Sequence, residues 1–158
     1  MEPMNHCCSM KQIVARYEAA SFTVNRRINA MIRECMQEEL TLDQYSILRY
    51  IGDRSQCTSS ELAEAFCVGK SSITAIITRL AAKRLIVRLP DEKDRRVTYL
   101  ALTEEGRRLS DVVESSIQQL LTRLMEHFQP EEAEAFIGTY EKLAKVLVMV
   151  DEKGDTEE

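Results

Sequence analysis

From residue 11 to 39, apolar side chains return every three or four positions: Ile13, Tyr17, Ala20, Val24, Ile28, Met31 and Cys35. That period lines one face of a long first helix, and no Gly or Pro interrupts it. Cys35, on that face, is expected to be buried. Thr41 fits as the N-cap of a second helix, with Leu42, Tyr45, Leu48 and Ile51 inward and Asp43 in the first turn. Gly52 and Asp53 fall near its end. A third, short helix opens at Thr58, which has capping-box spacing to Glu61, and Leu62, Ala63 and Phe66 form its apolar side. Gly69 suits the tight turn that follows. The spacing of Ile73, Ile76, Ile77 and Leu80 then predicts a fourth helix over about 69–84.

The period now changes. Ile86-Val87-Arg88-Leu89 reads as a brief strand ended by Pro90, and Val97 to Leu102 as a second one. Between them, residues 91–96 are all charged, so the pair forms a hairpin that projects into solvent. Thr103 caps a fifth helix whose apolar positions run from Leu109 to Phe128. Pro130 suits the first position of a sixth, which continues through Phe136, Ile137, Tyr140 and Leu147 to about 150. The chain is therefore expected to be mainly α with a small β-hairpin wing. The predicted regions are a tail and first helix (1–39), a winged lobe (40–102), C-terminal helices (103–150) and an acidic tail (151–158).

A short helix, a tight turn, a second helix with a small polar outer face and a hairpin with a basic tip together make a winged helix-turn-helix. Each part has a use on DNA. The second helix of the pair must approach base edges in the major groove, so short side chains are needed on its outer face. Ser71, Ser72, Thr74 and Thr78 are short donors and acceptors, and Ala75 can touch a thymine methyl. Lys70 and the helix N-terminus suit phosphate, Arg79 reaches a base or a phosphate, and Thr58 joins the candidate contacts. On the loop, Arg95 and Arg96 can reach an adjacent minor groove, and Lys93 joins the candidate DNA contacts.

Charge sharpens this reading. The 158-residue chain carries a net charge of −5, so a DNA surface must be local. Residues 54–108 hold eleven Lys and Arg against seven Asp and Glu, a net of +4. Residues 109–158 hold four against twelve, a net of −8. A basic region in an acidic chain favours one docking orientation on a polyanion.

The run Asp91-Glu92-Lys93-Asp94-Arg95-Arg96, with Val97 to Leu102 and then Thr103-Glu104-Glu105-Gly106, resembles the wing signature of the MarR family. Ser60 to Phe66 and Ser71 to Leu80 resemble its helix-turn-helix, and the likeness spans about residues 11–150. The resemblance implies a homodimeric transcription regulator, usually a repressor, on a double-stranded pseudo-palindromic operator. The N- and C-terminal helices of two subunits would interlock as dimerisation helices. It implies Arg95 in the minor groove, Asp94 bracing the wing through a salt bridge, and Ser71, Ser72, Thr74 and Arg79 facing the major groove. Two positions depart from the family. Glu92 stands where Pro is common, a change expected to loosen the wing. Arg84 stands where Gly is favoured. A positive φ there costs a non-glycine residue ~1 kcal/mol or more, so either the helix ends differently or Arg84 compensates with a phosphate contact.

The resemblance also implies release by a small lipophilic or phenolic effector, or by an oxidant. A ligand pocket would draw on Tyr17, Met31, Tyr45 and Arg49. The redox alternative would use Cys67, before the fourth helix, or Cys8, in the N-terminal tail. No two of the five Cys have C-x-x-C spacing, and neither a metal site nor a cofactor is expected. No phosphate-binding Gly loop, H-E-x-x-H run or recognisable nucleophile points to an enzyme. A helical protein-interaction adaptor is the rival from another class, and the basic wing tip argues against it. Neither an export signal nor a membrane span is legible, so the expected compartment is the cytoplasm.

Overall fold

The computed structural model describes residues 9–36 and 40–154. The elements in chain order are α1 (Met10–Cys35), α2 (Leu42–Arg54), β1 (Cys57–Thr58), α3 (Ser59–Ala65), α4 (Lys70–Ala82), β2 (Ile86–Pro90), β3 (Thr98–Leu102), α5 (Glu104–Met125) and α6 (Pro130–Gly154). The chain divides into two compact units, residues 1–117 and 118–158.

Local chemistry sets the helix starts. Ser9, Thr41 and Thr58 each close a capping box, with Gln12, Gln44 and Glu61 returning the bond to the cap's own backbone. Thr103 caps α5 by accepting from Gly106 N at 2.9 Å, and Pro130 opens α6. These starts match the sequence expectation at Thr41, Thr58, Thr103 and Pro130.

The first unit is built on α2, α3, α4 and a three-stranded antiparallel sheet of order β1-β3-β2. Ile47, Leu48, Ile51, Leu62, Ile73, Leu80 and Leu100 are its fully buried centre. Strand β1 was not expected. Cys57 pairs with Leu100 and Thr58 with Tyr99, so two residues before α3 tie the helix-turn-helix to the wing. A two-residue strand carries no periodicity, and only its distant partner defines it. In the hairpin itself Ile86 pairs with Leu102 and Pro90 with Thr98. Pro90 closes an edge strand, where its missing N–H costs nothing.

Two expectations need correction. The turn before α4 does not depend on Gly69, which has φ −63° and serves as the α4 N-cap. The left-handed residue is Cys67, at φ 50°. Cys67 N bonds Glu64 O and Val68 N bonds Ala63 O, both at 3.1 Å, which closes α3 with a Schellman motif. Cys35 is half-buried rather than buried. The α1 face from Ile13 to Val24 is periodic as expected, and it lies exposed in the single chain.

In the second unit, α6 carries Phe136 stacked on Tyr140, with ring centroids 5.6 Å apart. Both rings are more than half exposed, and Val146 to Val150 are exposed as well.

Candidate nucleic-acid interface

Helix α4 divides its residues by face. Ile73, Ile77 and Leu80 are buried, while Lys70, Ser71, Ser72, Thr74, Ala75, Thr78 and Arg79 are all exposed. The first turn of α4 has no side-chain cap, unlike those of α1, α2 and α3. Two of the outward hydroxyls are engaged on their own helix. Thr74 Oγ1 donates to Lys70 O at 2.8 Å, and Thr78 Oγ1 donates to Thr74 O at 2.9 Å. In this arrangement each directs its hydrogen onto its own helix and keeps acceptor lone pairs. Bonding of Ser and Thr to the i−4 carbonyl is common in helices and was the signal to look for. Thr58 is also committed. Its hydroxyl donates to Glu61 Oε2 at 2.8 Å and accepts from Glu61 N at 3.3 Å. Thr58 N also donates to Oε2 at 2.6 Å, and this bond, with the hydroxyl's, holds the Glu61 carboxyl below its usual range.

The wing loop is held by carboxylates. Asp91 Oδ1 accepts from Lys93 N and Asp94 N, each at 2.8 Å, and Asp91 N donates to Val97 O at 3.0 Å. This turn is fixed without a proline at Glu92. Asp94 accepts from Arg96 at three atoms: N at 3.0 Å, Nε at 3.1 Å and Nη2 at 3.2 Å. The Arg96 guanidinium and backbone N–H hold the Asp94 carboxyl below the ordinary carboxylate range. Arg96 is thus paired with Asp94 at the surface, its side chain still 90% exposed. Arg95, next to it, is exposed and engages no group among the described residues, as do Lys70, Arg79 and the Lys93 ammonium.

The base of the wing explains two further residues. Arg84 has φ 58°, so the positive φ considered from the sequence is real. Arg84 N bonds Ala81 O at 2.9 Å and Leu85 N bonds Leu80 O at 3.0 Å, which makes a Schellman cap on α4. Thr103 Oγ1 donates to Arg84 O at 2.8 Å, and Thr103 N to Leu85 O at 3.0 Å. A Cβ on Gly106 would fall inside the Leu85 carbonyl, so only glycine lets α5 approach this turn.

The candidate effector residues do not form one cluster. Tyr17 and Met31 lie fourteen positions apart on α1, which is roughly 21 Å along a helix. Tyr45 and Arg49 stand one turn apart on α2. Tyr45 is 4% exposed, and its hydroxyl lies beside the Arg49 guanidinium without a well-formed hydrogen bond among the described residues. Burial pushes this phenol above its usual value, and the nearby Arg49 guanidinium opposes the shift. Arg49 Nη2 lies 3.5 Å from Glu114 Oε1 of α5, a pair the sequence reading missed.

Of the candidate thiols, Cys8 lies outside the described residues and Cys67 is exposed. Cys57 is buried, which pushes its thiol up to about 11, with Glu61 adding to the shift. Among the described residues no His, Cys, Asp and Glu group is placed to hold a metal ion. Among them, too, no single helix is long and apolar enough to cross a membrane.

A short helix, a left-handed turn, an exposed polar helix and a braced hairpin make this a winged helix-turn-helix protein. Residues 40–98 match the MarR family. An uncharacterised HTH-type transcriptional regulator, YsmB of Bacillus subtilis, is 30% identical over 125 residues, covering 75% of this chain and 84% of that one. The chain belongs to the MarR family of transcriptional regulators. The homoprotocatechuate degradative operon repressor of Escherichia coli is 28% identical over 95 residues, covering 60% of this chain and 64% of its own length. A crystal structure of a mutant MarR from E. coli complexed with operator DNA shares the fold. Its TM-score is 0.71 at 22% identity, covering 88% of this chain and 98% of that one.

Proposed function

We propose that this protein is a homodimeric transcriptional repressor that binds a pseudo-palindromic DNA operator and is released by a small lipophilic or phenolic ligand. The observation that carries the DNA reading is the pairing of two exposed features. One is the polar α4 face, directly opposite the buried Ile73, Ile77 and Leu80. The other is the unengaged Arg95 on a wing loop fixed by Asp91 and Asp94. In this reading Ser71, Ser72, Thr74, Ala75, Thr78 and Arg79 face the major groove, and Lys70 and Lys93 meet phosphate. Arg95 enters the minor groove, Asp94 and Arg96 stiffen the wing, and Thr58 serves as the cap that fixes α3.

The dimer is supported by apolar side chains left exposed on α1 and α6: Met10, Ile13, Val14 and Tyr17 on one, Phe136, Ile137, Tyr140 and Leu147 on the other. A second copy would cover them, and its α4 would reach the next half-site about 10 bp away or a multiple of that. The relative named a repressor supports the direction of regulation. The ligand reading rests on Tyr45, whose enclosed hydroxyl makes no well-formed hydrogen bond beside the Arg49–Glu114 pair. A phenolic or carboxylic ligand would supply that bond.

The test is a gel-shift titration of the full chain on DNA flanking its own gene, and on sites selected from random DNA. A sequence-preferring shift is expected that weakens steeply with salt. Arg95→Ala should weaken it at least tenfold, by order of magnitude, while the protein stays dimeric. Unchanged affinity would remove the wing from the interface.

A further inference from the structure

The α4 face specifies which base pairs it can read. A threonine hydroxyl has one hydrogen and two lone pairs. In Thr74 and Thr78 that hydrogen is held by the carbonyls of Lys70 and Thr74. With Oγ1 folded onto the helix, each side chain offers the surroundings its γ-methyl and acceptor lone pairs, and no donor. Ala75, exposed between them, adds a third methyl.

The middle of α4 is therefore mismatched to guanine, whose major-groove edge presents only acceptors at N7 and O6. It is matched to a T·A pair. Adenine donates from N6 to a threonine Oγ1, and the thymine C5-methyl packs on the side-chain methyls. Cytosine also donates, from N4, but has no methyl to pack. Thr74 and Thr78 stand at i and i+4, about 5–6 Å apart at Cβ. That spacing fits methyls one to two base steps apart, at 3.4 Å per step along a strand. The long donor on this face is Arg79, exposed and unengaged, which leaves guanine recognition to the C-terminal end of α4.

We propose that Thr74, Ala75 and Thr78 select T·A pairs by contact with thymine methyl groups, making this protein a reader of thymine-bearing half-sites. The proposal rests on the operator-binding reading above, and it fixes the chemical class of base that the same helix recognises.

The experiment selects sites from random DNA with the full chain, then replaces each half-site thymine in turn with deoxyuridine, which removes only the methyl. One or two positions per half-site should each lose about three- to tenfold in affinity, the size expected for one buried methyl. Thr74→Ser and Thr78→Ser keep the back-bonded hydroxyl and drop the methyl, so each should abolish the thymine-to-uracil ratio at its own position. Thr74→Val and Thr78→Val keep the methyl and should retain that ratio, which also shows that the fold tolerates substitution there. Binding with equal affinity for thymine and uracil at every position overturns this proposal and leaves operator binding standing. So does a ratio that survives Thr→Ser at both sites. Failure to select or shift any DNA overturns both.

Discussion

Among the described residues, three without the conformational freedom of glycine hold a positive φ: Ser55, Cys67 and Arg84. The last two sit one past the C-caps of α3 and α4, where a left-handed residue lets the final carbonyls find partners. The cost is local and measurable. Arg84→Gly should stabilise the protein by about 0.5–1 kcal/mol, the relief of φ being partly offset by a more flexible unfolded chain. Urea unfolding of the two proteins checks this, and a lower midpoint would show that the Arg84 side chain contributes more than its backbone loses. Cysteine chemistry separates at the same scale. The Cys57 thiol, pushed up to about 11 by burial, stays protonated at pH 8, whereas Cys67 is exposed. Peptide-mapped alkylation of the native protein at that pH should label Cys67 and spare Cys57. Equal labelling would mean that β1 opens readily.

At the scale of elements, the wing depends on how its base is joined to α5. Thr103 bonds the carbonyls of both Arg84 and Leu85, and Gly106 lies against the Leu85 carbonyl. Gly106→Ala puts a methyl where backbone already stands, so α5 or the α4–β2 turn must move. A loss of about 3 kcal/mol or more is expected, above the usual range for one added methyl because the obstacle is main chain. Thermal unfolding measures it, and a near-wild-type Tm would show that this junction gives way easily. The helix starts were legible because a cap and its partner lie three residues apart. The wing loop was legible as a charged run, but its internal order was not. That Arg96 turns onto Asp94 while Arg95 stays free follows from the turn set by Asp91, not from composition.

At the scale of the whole molecule, a +4 segment within a −5 chain and two apolar helix faces left exposed in one chain call for two partners of different kinds. Replacing Phe136 and Tyr140 together with Glu should convert a dimer to a monomer in analytical ultracentrifugation. Operator affinity should fall with it, because a monomer engages only one half-site. A dimer that survives the double change would place its interface elsewhere. Both rings are more than half exposed, so the substitution removes little packing within the chain.

The sequence by itself determined the order of the six helices, the caps at Thr41, Thr58 and Thr103, the hairpin and the family. Each of these rests on residues a few positions apart, whose spacing and side-chain chemistry act before any tertiary contact forms. Tertiary structure decided the pairing of Cys57 with Leu100, the enclosure of the Tyr45 hydroxyl and the need for glycine at 106. Those depend on which distant backbone arrives at a given point, and packing of the whole unit sets that.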